Sequence, residues 1–103
     1  CAVVASHVIG SVPFLVQDGE NGLIYCDGDE GSLCSKISYL LEHPLERKNI
    51  GKKAYETLAE IWNSRTAAER LLILIDNLMN GNSTPFEDGP CSRAESIKDN
   101  WFQ

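Results

Sequence analysis

The chain begins with an apolar run, AVVA at residues 2–5, which ends at Ser6. Small and β-branched residues of this kind are typical of a strand covered on both faces, as in a parallel sheet with helices above and below it. A second short apolar run, LIYC at residues 23–26, follows the dense turn signal DGENG at residues 18–22. Two such short strands do not make a stable sheet by themselves. We therefore expect residues 1–80 to be the truncated, later part of a larger α/β domain.

Three amphipathic helices are predicted after the second strand. Asp29 is the expected N-cap of the first helix, which should end before Pro44 because a proline disfavours helical geometry at the residue before it. Pro44 itself suits the first turn of the second helix. The third helix is expected to be capped within residues 62–64 (WNS) and to end near Asn80. Residues 12–17, between the strands, are expected to form a helical turn, so the order of elements predicts the α/β class.

The end of the chain has a different composition. Residues 81–91 are rich in Gly, Ser, Asn and Pro and are predicted to be a linker. Residues 92–103 regain helical spacing and carry Trp101 beside Phe102, an unusual pair for a bare tail. We predict a tail or short helix that docks on another surface, with disorder as the alternative.

Composition excludes several classes of function. The net charge of -6 over 103 residues argues against a nucleic-acid partner, because phosphate binding needs clustered Lys and Arg. No apolar run approaches the roughly 20 residues that span a bilayer, and no basic segment precedes the first run, so we expect a cytoplasmic protein. The four cysteines (1, 26, 34 and 91) form no C-x-x-C pair; free thiols are favoured over disulfides, and no metal site is expected.

Gly10 and Ser11 are the candidates for ligand contact. They follow the carboxyl end of the first strand, where open α/β sheets bind ligands. A glycine-containing turn before a helix exposes main-chain N–H groups that suit a phosphate or sugar oxygen. The alternative is that Gly10 only makes a tight turn supporting a site elsewhere. His7 could face the same cleft, but no Ser or carboxylate pairing in the sequence supports a catalytic triad.

The order of these motifs resembles the C-terminal domain of family-four retaining glycosyltransferases of the GT-B class. In that family Gly-x-Pro-Val-Ile-Ala-Ser is followed by Gly-Gly-Ile-Pro-Glu and then by Asp-Gly-x-Asn-Gly-Leu. The matching stretches here are CAVVAS at residues 1–6, GSVPF at residues 10–14 and DGENGL at residues 18–23. The resemblance covers roughly residues 1–79 and implies a partial Rossmann-like domain with two short parallel strands followed by three helices.

Two positions depart from the family pattern. Ser11 stands where the family has its second glycine, and Phe14 stands where it has the glutamate after proline. A serine still fits a turn, whereas a phenylalanine accepts no hydrogen bond. Any hydrogen bond that the glutamate makes in relatives is therefore absent or altered here.

The resemblance implies a parent enzyme that moves a sugar from a nucleotide-sugar donor to an acceptor with retained anomeric configuration and without a bound metal or other cofactor. The catalytic glutamates and an N-terminal domain would lie upstream of Cys1, so the chain itself would hold no catalytic residue and be inactive alone. Gly10 and Ser11 would then be donor-binding residues. Peripheral membrane contact of the parent and self-association of the fragment stay open.

A second hypothesis of a different class is a non-catalytic α/β interaction module. Such a module would bind a protein partner through its helices or through the Trp101–Phe102 pair. A genuine start near Cys1 would favour the module, whereas paired glutamates encoded upstream would favour the enzyme.

Overall fold

The structure is a computed structural model that describes residues 1–102. Strand β1 (Val4–Ser6) and strand β2 (Leu23–Tyr25) pair in parallel, and the short helix α1 (Val12–Leu15) lies between them along the chain. The two strands are in register over all three residues. The predicted order of strand, helical turn and strand is confirmed.

Three longer helices follow, as predicted. Helix α2 spans Glu30–Glu42, α3 spans Pro44–Glu56 and α4 spans Ser64–Met79. A π-helical segment, Thr57–Ile61, continues α3. Two short parallel strands with several helices make a partial α/β fold, which is the predicted class.

Local chemistry sets the helix ends. The Asp29 side chain accepts a hydrogen bond from the Ser32 N–H at 2.9 Å, and the Asn63 side chain accepts one from the Thr66 N–H at 2.9 Å. Both are N-caps of the expected kind. Gly81 ends the last helix with a φ of 77°, which a residue with a side chain adopts only with strain.

The end of the second predicted helix differs from an α-helix. Leu58 and Ile61 lie on the π-helical segment that follows α3. The Thr57 hydroxyl donates to the Lys53 carbonyl at 2.9 Å, and the Trp62 N–H bonds the Thr57 carbonyl. A threonine that bonds back into its own helix competes with the regular ladder and bends the helix.

The core is small and includes Val12 and Ile24, which are almost fully buried. Leu23, Leu40 and Ile50 are buried together, with Ala2 and Val4 packed partly against them. These five residues bring β1, β2, α2 and α3 into contact.

The opposite edge of β1 is open in residues 1–102, because β2 is its one neighbouring strand there. Val3, which the sequence predicts to be covered on both faces, is 45% exposed. That expectation is wrong for the described chain, since no second strand or helix within it packs on this edge.

Helix α4 projects from the rest of the fold. None of its residues is buried, and Leu72 and Met79 are 70% and 82% exposed. The radius of gyration is 16.2 Å, against about 13 Å for a compact domain of this length. Within the described residues, no helix is long and apolar enough to cross a membrane.

The predicted linker is irregular, and it packs on α4. Arg70 donates to the carbonyls of Asp88 and Pro90 and lies 4.5 Å above the ring of Phe86. A Cβ on Gly89 would lie 2.7 Å from the Arg70 guanidinium, so this segment approaches α4 closely.

Residues 92–102 form no helix, so the structure has the predicted tail rather than the short helix. The last residue of that predicted tail, Gln103, lies outside the described residues. All four cysteines are free thiols.

Candidate functional site

The carboxyl ends of β1 and β2 meet at one edge of the sheet because the strands are parallel and in register. Ser6 ends β1, and Asp27 lies just beyond β2. The Ser6 hydroxyl donates to the Asp27 carboxylate at 3.1 Å, and the His7 N–H donates to the Tyr25 carbonyl at 3.1 Å. These bonds lock the loop after β1 to the end of β2, at the place where α/β sheets bind ligands.

His7 is buried in this edge, with 6% of its surface exposed. Its Nδ1 accepts a hydrogen bond from the main-chain N–H of Asp27 at 3.0 Å. An accepting Nδ1 carries no proton, so the proton of the neutral ring sits on Nε2. The Ser6 hydroxyl is directed to Asp27 rather than to the imidazole, so the three side chains do not form the nucleophile–base–carboxylate relay of a triad.

A cleft of about 240 Å³ lies beside this edge. One wall is the loop and first residues of α1, which follow β1. The other wall is a segment of the tail. The lining residues are His7, Val8, Ile9, Gly10, Pro13, Phe14, Glu95, Ile97, Asp99 and Trp101.

Gly10 lines the cleft, and Ser11 does not. A Cβ on Gly10 would meet no atom within 4 Å, and its φ is outside the left-handed region. Neither the backbone conformation nor the packing within residues 1–102 therefore requires a glycine here. Gly10 nevertheless lies in a tight turn, closed by the hydrogen bond from the Val12 N–H to the Ile9 carbonyl at 3.0 Å, so the structure also supports the alternative that it serves as a turn residue.

Ser11 begins α1, and its side chain makes no capping hydrogen bond. Its carbonyl instead accepts from the N–H groups of Phe14 and Leu15. Helix α1 has only four residues, so few peptide dipoles add at its amino end, and any attraction for an anion is weak.

Phe14, at the position where the resembled family pattern has a glutamate, is 45% exposed and lines the cleft. It also borders a second cleft formed with the segment that packs on α4. An apolar ring thus lies in the wall of the cleft at this position.

The turn between α1 and β2 has a structural role. The Asn21 amide donates to the Leu15 carbonyl at 2.9 Å and to the Thr57 hydroxyl at 3.0 Å, and its oxygen accepts from the Gln17 N–H at 2.7 Å. The Asp18 carboxylate accepts from the Ile24 N–H at 2.8 Å. These polar side chains stabilise the turn and fix the start of β2.

Trp101 lines the cleft, and the docking that the sequence predicts for the Trp101–Phe102 pair takes place within this chain. The indole N–H of Trp101 donates to the His7 carbonyl at 3.0 Å. The Phe102 carbonyl accepts a weak hydrogen bond from the Cys26 thiol at 3.8 Å. The pair is an internal contact of this chain, which ties the tail to the carboxyl ends of both strands.

The fold and site together define a partial α/β domain with a cleft at the carboxyl ends of its parallel strands. The chain is 32% identical, over 75 residues, to a trehalose synthase of Pyrococcus horikoshii. The match covers 73% of this chain and 18% of the length of that relative. No protein-family model and no solved structure matches the chain. At a coarse level, the similarity supports a relationship to a glycosyltransferase-like enzyme of sugar metabolism.

Proposed function

We propose that this chain is the C-terminal part of the nucleotide-sugar-binding domain of a retaining GT-B glycosyltransferase of family four. The parent enzyme transfers a sugar from a nucleotide-sugar donor to an acceptor. Residues 1–80 are the domain part, residues 81–91 connect it to the tail, and residues 92–103 are the tail. The catalytic glutamates lie in a preceding segment, so the isolated chain is inactive.

The observation that carries this proposal is the cleft at the carboxyl ends of β1 and β2, with Gly10 in its wall. Nothing within the described residues requires a glycine at this position, whereas a ligand that approaches the main chain closely does require one. The similarity to a trehalose synthase supports the same class of chemistry. Gly10 is therefore the donor-contacting residue of this proposal, whereas Ser11 lies outside the cleft and its carbonyl is engaged within α1.

The test is a donor screen on the full-length protein that carries this chain. Transfer or hydrolysis of a uridine, guanosine or adenosine diphosphate sugar is expected, and the product should keep the anomeric configuration of the donor. A Gly10→Val variant should lose activity at an unchanged melting temperature, because its side chain projects into the cleft. Absence of activity with all three donor classes would contradict the proposal.

A second candidate, a non-catalytic interaction module, is supported by the exposed apolar face of α4, which carries Leu72 and Met79. In this function α4 binds a protein partner and the cleft stays without a ligand. A Leu72→Glu variant should then abolish partner capture, and the full-length protein should transfer no sugar with or without this substitution. The Trp101–Phe102 pair is a poor partner site for this module, because it packs on His7 and Cys26 of the same chain.

A further inference from the structure

The second wall of the cleft is built by the tail segment 95–102, which we name the arm. Glu95, Ile97, Asp99 and Trp101 of the arm line the cleft. The arm is fixed at β1 by the Trp101–His7 hydrogen bond and at β2 by the contact of Phe102 with Cys26. It therefore has a defined position against the loop that holds Gly10.

The charge of this wall selects against an anionic ligand. Glu95 and Asp99 are the charged residues among the described residues that line the cleft, and both are acidic. A diphosphate against two carboxylates is repelled, whereas a hydroxyl group donates a hydrogen bond to a carboxylate. The wall thus suits a neutral, hydroxyl-rich molecule.

The volume of the cleft and the side chain of Trp101 restrict the class of ligand further. The volume of about 240 Å³ is below the ~300–1,000 Å³ typical of pockets for drug-sized ligands, so it suits a single ring. Trp101 remains 36% exposed although its N–H is engaged with His7. A flat apolar surface beside hydrogen-bond acceptors complements the C–H face and the hydroxyl groups of a pyranose.

His7 adds a hydrogen-bond donor to the carboxylate acceptors of the cleft. Its Nδ1 is occupied by the Asp27 N–H, so the ring carries its proton on Nε2. His7 is among the lining residues, and an N–H on Nε2 is a group that can donate a hydrogen bond to a sugar oxygen. The cleft therefore combines carboxylate acceptors, an imidazole donor and an indole face.

We propose that the cleft between the arm and the loop after β1 binds a neutral pyranose ring, with Trp101 against the ring and Glu95 and Asp99 accepting hydrogen bonds from its hydroxyl groups. The inference rests on the proposed function, because the ring belongs to the donor or to the acceptor of the transfer reaction. It assigns the arm to the substrate site and assigns the pyrophosphate to another part of the protein.

The first test uses the full chain with Trp62→Phe, which leaves Trp101 as the single tryptophan. D-glucose is expected to change the Trp101 emission in a saturable way at both low and high salt, and uridine diphosphate is expected to leave it unchanged. Glu95→Gln with Asp99→Asn should weaken the glucose response, whereas Glu87→Gln, outside this cleft, should not. A response to uridine diphosphate and none to glucose would overturn the proposal.

The second test uses the full-length enzyme and does not depend on the fluorescence of the chain. Trp101→Ala is expected to raise the KM for one substrate by roughly 2- to 10-fold, the range of one aromatic contact. A higher KM for the nucleotide sugar assigns the ring to the donor, and a higher KM for the acceptor assigns it to the acceptor. Unchanged KM values for both, in an enzyme that transfers sugar, would overturn the inference and leave the proposed function standing. A glucose response in the first test, with no transfer activity of the full-length protein, would overturn the proposed function and leave the sugar-binding cleft standing.

Discussion

The indole N–H of Trp101 and the main-chain carbonyl of His7 form a 3.0 Å hydrogen bond that joins residues 94 positions apart. This bond holds the arm against the carboxyl end of β1. Trp101→Phe keeps an aromatic ring but loses the donor, and we expect the free energy of unfolding to fall by about 1 kcal/mol. Urea denaturation of the chain measures the change.

Trp62→Phe is the matched control for that substitution. No hydrogen bond of the Trp62 indole is found within residues 1–102, so its replacement should cost less. Equal losses of stability for the two variants would show that the Trp101–His7 bond does not hold the arm.

Substitution by alanine is expected to affect the stability differently at Gly22 and at Gly10. A Cβ on Gly22 would lie 2.9 Å from a methyl group of Val16 and 3.3 Å from the Val3 carbonyl oxygen. Gly22→Ala is therefore expected to lower the free energy of unfolding by about 1–3 kcal/mol, whereas Gly10→Ala should leave it unchanged. Adding Val16→Ala to the Gly22 variant should recover part of the loss. Equal stabilities of the two single variants would contradict the packing described for β1 and β2.

Asn21 supports the turn with three hydrogen bonds, to Gln17, Leu15 and Thr57. Asn21→Ala removes all three, and we expect a loss of about 1–3 kcal/mol in the free energy of unfolding. Asn49→Ala, at an exposed position of α3, is the control and should change the stability by less than about 0.5 kcal/mol. Chemical denaturation of both variants measures these changes. Similar losses in the free energy of unfolding would contradict the structural role of Asn21.

The sequence predicted those parts of the fold that depend on local chemistry. Asp29 and Asn63 were expected at helix starts, and their side chains do cap α2 and α4. Pro44 begins α3 because a proline at the first helical turn loses no hydrogen bond. Helix caps and helix-starting prolines can be predicted from the sequence because the interacting groups are only a few residues apart.

Only the part of the candidate site that follows β1 could be predicted from the sequence. The loop with Gly10 could be placed from the strand before it. The Ser6–Asp27 contact joins residues 21 positions apart, and the Trp101–His7 contact joins residues 94 positions apart. No spacing pattern in the sequence predicts such pairs. The exposure of Val3 was also missed, because burial of a side chain depends on neighbours that its own sequence does not specify.

Arg70 holds the predicted linker against α4. It donates to the carbonyls of Asp88 and Pro90 and lies over the Phe86 ring. Arg70→Ala is expected to speed amide hydrogen exchange and proteolysis within residues 83–92 while α2 and α3 keep their protection.

Arg65→Ala is the control for that variant. Arg65 lies on the same helix, and its ion pair with Glu69 is exposed, so its removal should change little. If both variants leave residues 83–92 equally protected, Arg70 is not what holds this segment.

The central claim is that ligands of the parent glycosyltransferase bind at the carboxyl ends of β1 and β2. Hydrogen exchange of the full-length protein, with and without its nucleotide-sugar donor, tests it most directly. Donor is expected to slow exchange in residues 7–14 and to leave the exposed face of α4 unchanged, and residues 95–101 should be protected by the substrate that supplies the ring, donor or acceptor. Protection confined to α4, or no protection in residues 7–14 at a saturating donor concentration, would contradict the account.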